Sequence, residues 1–235
     1  TCTDSENNTN WTFIPTYSIT GTAYSDEGVT PLASQTVAVS LNGASSAGTA
    51  ETDAGGQFTI TGLSITGGTV IALYLDGETE NAVTVTFGSG SNMTGVHLYQ
   101  DRLAIRSNTG SAVTGNASPM TNTHLAIADD NGDADITTIL SSAFGTGITV
   151  VEPYELLIWT GSTFTPGGEI TVHDLDVDGT LTLEANTGSV TGSFDSSQGD
   201  FTSAHVIQFT GTGSTDTIVS NSAFDDVIIG GGDAT

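Results

Sequence analysis

The chain has no lysine and only two arginines, Arg102 and Arg106, against 27 acidic residues, which gives a formal net charge of −25. Nucleic acid and anionic lipid are bound by clustered Lys or Arg that displace counterions from phosphates. We therefore expect neither as a partner. The lack of lysine also rules out Lys–Asn isopeptide crosslinks and Lys-dependent pilin polymerisation. The acidic charge indicates a solvated surface that resists aggregation, with a surface that binds Ca²⁺ as the alternative.

Cysteine and long hydrophobic runs are scarce as well. Cys2 is the only cysteine, so no disulfide can form within the chain, and its thiol either couples to another chain or is incidental. No apolar stretch approaches the ~20 residues that a membrane-spanning helix needs, so we expect no membrane insertion. Hydrophobic residues make up 36% of the chain, which suits thin β cores better than one thick globular core.

Catalytic motifs are also missing. The four histidines lie far apart in the sequence, without the spacing of a metal site. No serine stands in a Gly-x-Ser-x-Gly motif, and a phosphate-binding loop would need the lysine that the chain lacks. We therefore expect no enzymatic activity, no catalytic residue and no required cofactor.

What the chain contains in abundance is short β-strands separated by turns. Apolar residues alternate with small or polar ones at 37–41, 58–60 and 83–87, and 70–75 is a continuous apolar run. Gly, Asn-Gly or Asp-Gly sequences flank these segments. Strands that recur about every 8–12 residues are typical of a β-sandwich.

Residues 18–105 carry a more specific pattern. The sequence reads GTAYSDEG at 21–28, PL at 31–32 and TDAGGQFTITGL at 52–63. This resembles the carboxypeptidase-regulatory-like and Cna-B-like immunoglobulin-type domains, in which G-x-V-x-D-x-x-G-x-P-L precedes T-D-x-x-G-x-F-x-I-x-x-L. The resemblance implies an immunoglobulin-like sandwich over 16–105 with a spacer or stalk role. Phe58 and Ile60 would lie in its core.

The leader before this segment, residues 1–15, is rich in asparagine. Trp11 and Phe13 within it mark either a strand that docks on a neighbour or the first strand of the sandwich itself.

From about residue 150 the sequence changes to short apolar pairs separated by Gly, Asp or Asn turns. Blocks 174–192 and 193–211, each of 19 residues, align so that Leu175 falls on Phe194 and Val190 on Phe209. Such a repeat is typical of a β-solenoid, in which each coil buries its apolar side chains against the next.

Two segments of this half, DLDVDGTLTL at 174–183 and VIQFTGTG at 206–213, resemble the parallel β-helix segments of very large bacterial surface proteins and adhesins. The resemblance implies a β-solenoid over 150–235. Because no polar cap is evident around the glycines at 230–232, we expect the solenoid to continue in a longer chain or to pair with another subunit.

Residues 106–149 predict a connecting β region, with a short helix as an open alternative. Asp135 would cap a helix whose apolar face includes Ile136 and Phe144, whereas Thr137 and Thr138 favour a strand.

The densest group of carboxylates lies in this region. Asp129, Asn131, Asp133 and Asp135 stand at positions 1, 3, 5 and 7 of an EF-hand-like loop. The usual Gly and Glu at later positions are missing, so the segment is not an EF-hand. We take the four residues as a candidate Ca²⁺ site, with an acidic surface turn as the alternative.

A second acidic row, Asp174, Asp176 and Asp178, alternates with Leu175 and Val177. A strand with its apolar side inward explains this spacing better than a calcium loop. Some β-helix polysaccharide hydrolases use clustered outer-face Asp for acid/base chemistry, and this is the least favoured interpretation.

The sequence therefore predicts an all-β protein with an immunoglobulin-like β-sandwich followed by β-solenoid (parallel β-helix) coils. We expect a non-enzymatic, extracellular building block of a microbial cell-surface fibre, stalk, filament or adhesin. Its partners would be other copies of itself or neighbouring repeats of the same polypeptide. One alternative is a carbohydrate-binding or carbohydrate-cleaving module for surface glycans, for which only Tyr154, Trp159 and Phe164 approach an aromatic row. The other is a subunit whose assembly depends on Ca²⁺.

Overall fold

The computed structural model describes residues 14–107, 119–143, 147–203, 205–211 and 216–230. Cys2, Trp11, Phe13 and Phe144 lie outside these ranges, and so do the interpretations that depend on them. The described chain is all-β with about 6% helix. Its elements are β1 (Tyr17–Tyr24), β2 (Thr36–Leu41), β3 (Gly48–Glu51), β4 (Gln57–Leu63), β5 (Gly67–Leu75), β6 (Val83–Ser89), β7 (Leu98–Tyr99), β8 (Arg102–Ile105), α1 (Asn122–Asp129), α2 (Ala134–Thr137), β9 (Leu140–Ala143), β10 (Gly147–Val150), β11 (Glu155–Ile158), β12 (Thr163–Phe164), β13 (Glu169–Val172), β14 (Asp174–Val177), β15 (Thr180–Thr182), β16 (Gly188–Val190), β17 (Phe194–Ser196), β18 (Asp200–Thr202), β19 (Val206–Phe209), β20 (Ile218–Ser220) and β21 (Asp226–Ile229).

The N-terminal region, β1 to β7, consists of two sheets around a shared hydrophobic core. One sheet has the order β4-β1-β7, with β4 antiparallel and β7 parallel to β1. The other contains β3-β2-β5-β6. Phe58 and Ile60 alternate with exposed Thr59 along β4 and are buried in this core, so their predicted core positions are confirmed.

Strand β5 is buried on both faces, which explains its continuous apolar run. Ile71 and Leu73 face the core between the two sheets. Val70 and Ala72 face a second core, which includes residues of α1 and of the solenoid. Strand β5 is therefore a central layer with packed side chains above and below it.

The C-terminal half is a β-solenoid, as the repeat predicts. Strands β11, β12 and β13 form one coil, and β14 to β16 and β17 to β19 form the next two. Each strand pairs in parallel with its equivalent in the following coil, which gives sheets β8-β11-β14-β17-β20, β10-β13-β16-β19-β21 and β12-β15-β18. Leu175 pairs with Phe194 and Val190 with Phe209, so the 19-residue alignment is confirmed.

Side chains in most strands of the solenoid alternate between the core and the outer face, although the outward Leu157 of β11 is itself buried against Tyr99 and Ala104. Leu175 and Val177 of β14 are buried, whereas Asp174 and Asp176, which alternate with them along the strand, lie on the outer face. The predicted outward orientation of the Asp row is therefore correct.

The backbones of neighbouring coils approach closely at the corners. A Cβ atom at Gly199 would overlap the carbonyl oxygen of Val177, so glycine is required there.

The solenoid joins the N-terminal region without a break, and its parallel ladder begins before residue 150. Strand β6 pairs in parallel with β8, and β8 with β11. One nine-stranded sheet therefore runs from β3 to β20. Sequence analysis assigned β8 to the predicted sandwich because residues 106–149 separate it from the repeat that begins near residue 150.

The described part of 106–149 contains helices as well as strands, unlike the predicted connecting β region. Helix α2 is capped by Asp133, whose carboxylate accepts a hydrogen bond from the Asp135 N–H at 3.0 Å. Ile136 is buried, as the helical alternative requires, but Leu140 already begins β9. The segment therefore combines both alternatives. The longer helix, α1, has only eight residues, and no described helix is long and apolar enough to span a membrane.

We predict that Val177→Lys lowers the free energy of unfolding by about 3 kcal/mol or more, because it places an unpaired charge in the solenoid core. Val177 is fully buried, whereas Thr171 on β13 is exposed and faces outward. Thr171→Lys is the control and should melt like the parent protein. Thermal melts followed by circular dichroism test this, and a parental melt for Val177→Lys would contradict the inward assignment.

Candidate functional site

The structure places the four predicted calcium ligands in different local surroundings. Asp129 ends α1, and its Oδ2 accepts a hydrogen bond from the Ser142 N–H at 2.9 Å. Burial raises the pKa of Asp129. Asn131 lies beside the hydroxyl of Tyr74. Asp133 and Asp135, in contrast, lie together at the start of α2.

Asp133 and Asp135 meet a third carboxylate, Asp76, which follows β5. Carboxylate oxygens of these three residues, here called the aspartate cluster, lie within 4.8 Å of one another. Asp135 Oδ2 accepts a hydrogen bond from the Gly77 N–H at 2.7 Å, and Asp133 Oδ2 accepts one from the Tyr74 hydroxyl at 3.2 Å. These bonds hold α2 against the end of β5.

Electrostatic repulsion is concentrated in the aspartate cluster. Burial, followed by the charges of Asp133 and Asp135, raises the pKa of Asp76. Burial and Asp133 likewise raise the pKa of Tyr74 to about 12. Several oxygen ligands with excess negative charge form the environment that Ca²⁺ prefers. Among the described residues, the aspartate cluster is thus the group best suited to hold a divalent cation.

A second group of carboxylates lies on the outer face of the solenoid and surrounds an arginine. Arg102 Nη2 lies 2.8 Å from Glu27 Oε1, and Arg102 Nε lies 2.8 Å from Glu155 Oε2. Carboxylate oxygens of Glu27, Glu155 and Asp176 approach within 4.8 Å of one another. We call Glu27, Arg102, Glu155 and Asp176 the arginine-centred cluster. Its guanidinium already supplies the positive charge that the aspartate cluster lacks.

Burial acts on two carboxyl groups of the arginine-centred cluster, those of Asp176 and Glu155. Burial raises the pKa of Asp176 to about 7, and the charges of Asp178 and Glu155 add to this effect. Burial also raises the pKa of Glu155, against the opposing charge of Arg102. The alternation in β14 indicated that Asp176 faces outward, but no local pattern could indicate that Glu27 and Arg102 meet it.

The histidines take part in separate local contacts. His97 Nδ1 accepts a hydrogen bond from the Thr22 N–H at 3.1 Å, and burial lowers the pKa of His97. His124 Nδ1 accepts the Thr121 N–H at 3.1 Å at the start of α1. These contacts hold the His97 and His124 rings in hydrogen bonds with their own surroundings.

The three aromatic residues considered for glycan binding do not form an exposed row. Phe164 is fully buried in the solenoid core, and Tyr154 is only 8% exposed. Trp159 stacks on Tyr99, with ring centroids 5.0 Å apart. The arrangement therefore gives no support to a sugar-stacking platform built from these residues.

A polar groove of about 490 Å³ lies beside β1 and β4 of the N-terminal region. Its lining includes Thr20, Thr22, Gln57, Glu51 and His97. The aromatic residue of the lining, Phe58, is 3% exposed and offers no stacking face. The groove presents hydroxyl, amide, imidazole and carboxylate groups.

Comparison of the chain with family models, with curated proteins and with solved structures gives no significant match.

We predict that Arg102→Gln destabilises the protein by about 3 kcal/mol, because it leaves the largely buried Glu155 without its counter-charge. The double variant Arg102→Gln/Glu155→Gln removes both charges and should recover most of this loss. Urea unfolding at neutral pH measures both values. A double variant no more stable than Arg102→Gln would show that the ion pair is not the cause.

Proposed function

We propose that the protein is a non-enzymatic structural module that assembles by adding further β-strands to the last coil of its solenoid. The proposal rests on one observation: apolar side chains that are buried in every earlier coil are exposed in the last described one.

In the sheet that contains β11, β14, β17 and β20, equivalent inward positions are occupied by Leu156, Leu175, Phe194 and Ile218. The first three are at most 1% exposed, whereas Ile218 is 44% exposed. An inward side chain is covered by its equivalents above and below, and Ile218 has such cover on one side only.

The neighbouring sheet repeats this contrast. Ile207 and Phe209 of β19 are 0% and 5% exposed, and their partners on β21, Val227 and Ile229, are 41% and 75% exposed. Within the described residues, β20 and β21 are also the edge strands of their sheets, and we propose that their outer backbone groups pair with further strands. A parallel strand with apolar residues in register would extend both ladders.

The opposite end of the solenoid is covered. Strand β8 is paired by β6, and residues of α1 and α2 contribute to the same core as the first coils. Assembly would therefore be directional, with the N-terminal region as a closed end and β20 and β21 as the open end. Burying each exposed isoleucine or valine would contribute about 1.5–3 kcal/mol.

The resemblance of residues 18–105 to immunoglobulin-type domains, together with the two packed sheets, supports an immunoglobulin-like spacer at the closed end. The resemblance of the solenoid to segments of bacterial surface proteins supports an extracellular fibre, stalk, filament or adhesin. We therefore propose that the partners are other copies of the chain or neighbouring repeats of the same polypeptide.

The open end predicts self-association that depends on protein concentration. Ile229→Asp places a charge in the exposed apolar row and should weaken association at least about tenfold. The control is Val29→Asp, because Val29 is 84% exposed but lies in the β1–β2 loop. Sedimentation velocity and electron microscopy provide the measurement. A parent protein that remains monomeric to about 100 μM would contradict self-association through this end.

A second proposal, assembly that depends on Ca²⁺, is favoured by the juxtaposition of Asp76, Asp133 and Asp135. We predict that Ca²⁺ raises the melting temperature and that Asp135→Asn abolishes most of this increase. Asp130→Asn is the matched control, because Asp130 is exposed in the same loop and is not part of the aspartate cluster. Melting curves that are the same in Ca²⁺ and in EGTA would contradict the proposal.

A further inference from the structure

We propose that the arginine-centred cluster is a pH-dependent clasp, in which a proton held among Glu27, Glu155 and Asp176 ties the β1–β2 loop to the solenoid. Loss of this proton above neutral pH would release Glu27 and its loop. The clasp is independent of the assembly at the open end, because it lies at the junction between the N-terminal region and the first coils.

The loop that carries Glu27 is internally fixed. Asp26 Oδ1 accepts hydrogen bonds from the N–H groups of Gly28, Val29 and Thr30 at 3.1, 2.7 and 2.9 Å. These bonds hold the pKa of Asp26 at about 2. Asp26 is therefore ionised throughout the neutral range, and the loop keeps its internal bonds there. The position of Glu27 then depends on what it meets on the solenoid.

The contact surface on the solenoid is provided by neighbouring rungs of one sheet. Arg102 on β8 pairs in register with Glu155 on β11, and Glu155 pairs with Asp174 on β14. Asp176 lies two residues further along β14 and pairs with Asp195 on β17. The side chains of Arg102 and Glu155 are 17% and 19% exposed, whereas that of Glu27 is 51% exposed. Glu27 is thus the member that can leave for water most easily.

The charges within the cluster do not balance. When fully ionised, the three carboxylates carry three negative charges against one positive charge on Arg102. The groups that face Asp176 add further negative charge: Glu27 from the β1–β2 loop, Glu155 from β11, Asp178 just after β14, and Asp195 from β17. Asp174 acts on the neighbouring Glu155. A proton shared among the closest carboxylates relieves part of this repulsion and provides a hydrogen-bond donor between two of them.

The direction of the pH effect follows from Asp176. Its pKa rises from 3.8 to about 7 on folding, with burial as the largest cause. Between these values the folded protein retains a proton that the unfolded chain has released. The resulting stabilisation is fully present below the lower value, decreases as the pH rises through about 7, and is absent above it. The clasp is therefore closed in mild acid and open in mild alkali.

Backbone NMR of the loop tests the clasp directly. The amide resonances of Gly28, Val29 and Thr30 in the parent protein should titrate with a midpoint near pH 7. Asp176→Asn should abolish this titration, because the residue can no longer ionise. Asp200→Asn makes the same change of charge on the exposed face of β18 and should leave the midpoint unchanged.

A second variant keeps the test informative if Asp176→Asn fails to fold. Glu27→Gln removes only the half-exposed carboxylate of the loop, and the loop amides should then lose most of their response near neutral pH. The proposal is overturned if the parent loop shows no titration between about pH 5.5 and about pH 8.5. It is also overturned if the midpoint persists unchanged in a folded Asp176→Asn or Glu27→Gln variant.

Discussion

The structure depends on the stacking of equivalent strands, because each solenoid coil is too thin to bury its own apolar side chains. Parallel backbone hydrogen bonds set the spacing between coils, and each inward side chain is covered by its equivalents in the neighbouring coils. Leu175 of β14 illustrates this, since it pairs with Leu156 in one neighbouring coil and with Phe194 in the other, and is only 1% exposed. Interactions of this kind propagate along one dimension. In the last described coil, Ile218, Val227 and Ile229 form an exposed apolar row.

The same requirement explains how the N-terminal region and the solenoid are joined. Strand β8 precedes the coil formed by β11 to β13, and it pairs with β11 on one edge and with β6 on the other. The N-terminal region thus acts as the cap that a solenoid needs, and residues of α1 and α2 complete the cover. Strand β5 has to be apolar on both faces because it lies between this cover and the core of the two sheets.

The parts of the fold that sequence analysis predicted are those with a local period. The pairing of Leu175 with Phe194 followed from the repeat, and the outward direction of Asp176 followed from alternation along one strand. Both carboxylate clusters, in contrast, join segments far apart in the chain. Glu27 and Arg102 are 75 positions apart, and Asp76 reaches Asp133 only because α2 packs on β5. Carboxylate clusters of this kind have no periodic signature in the sequence. Sequence analysis therefore predicted four candidate ligands in one loop, whereas the structure brings two of them, Asp133 and Asp135, together with the distant Asp76.

Stacking also imposes an electrostatic cost on a chain this acidic. Outward carboxylates in successive coils are brought to about the 4.8 Å spacing of neighbouring strands, where they repel unless a proton or a cation lies between them. Both arginines lie at the junction of the N-terminal region with the solenoid, where they contact groups of both regions. Arg102 contacts Glu27 and Glu155, and Arg106 donates to the Gly95 carbonyl and lies over the ring of Trp159 at 6.0 Å. The positive side chains of the protein thus connect the two regions, and the remaining carboxylates depend on solvent, on protons or on bound cations for their neutralisation.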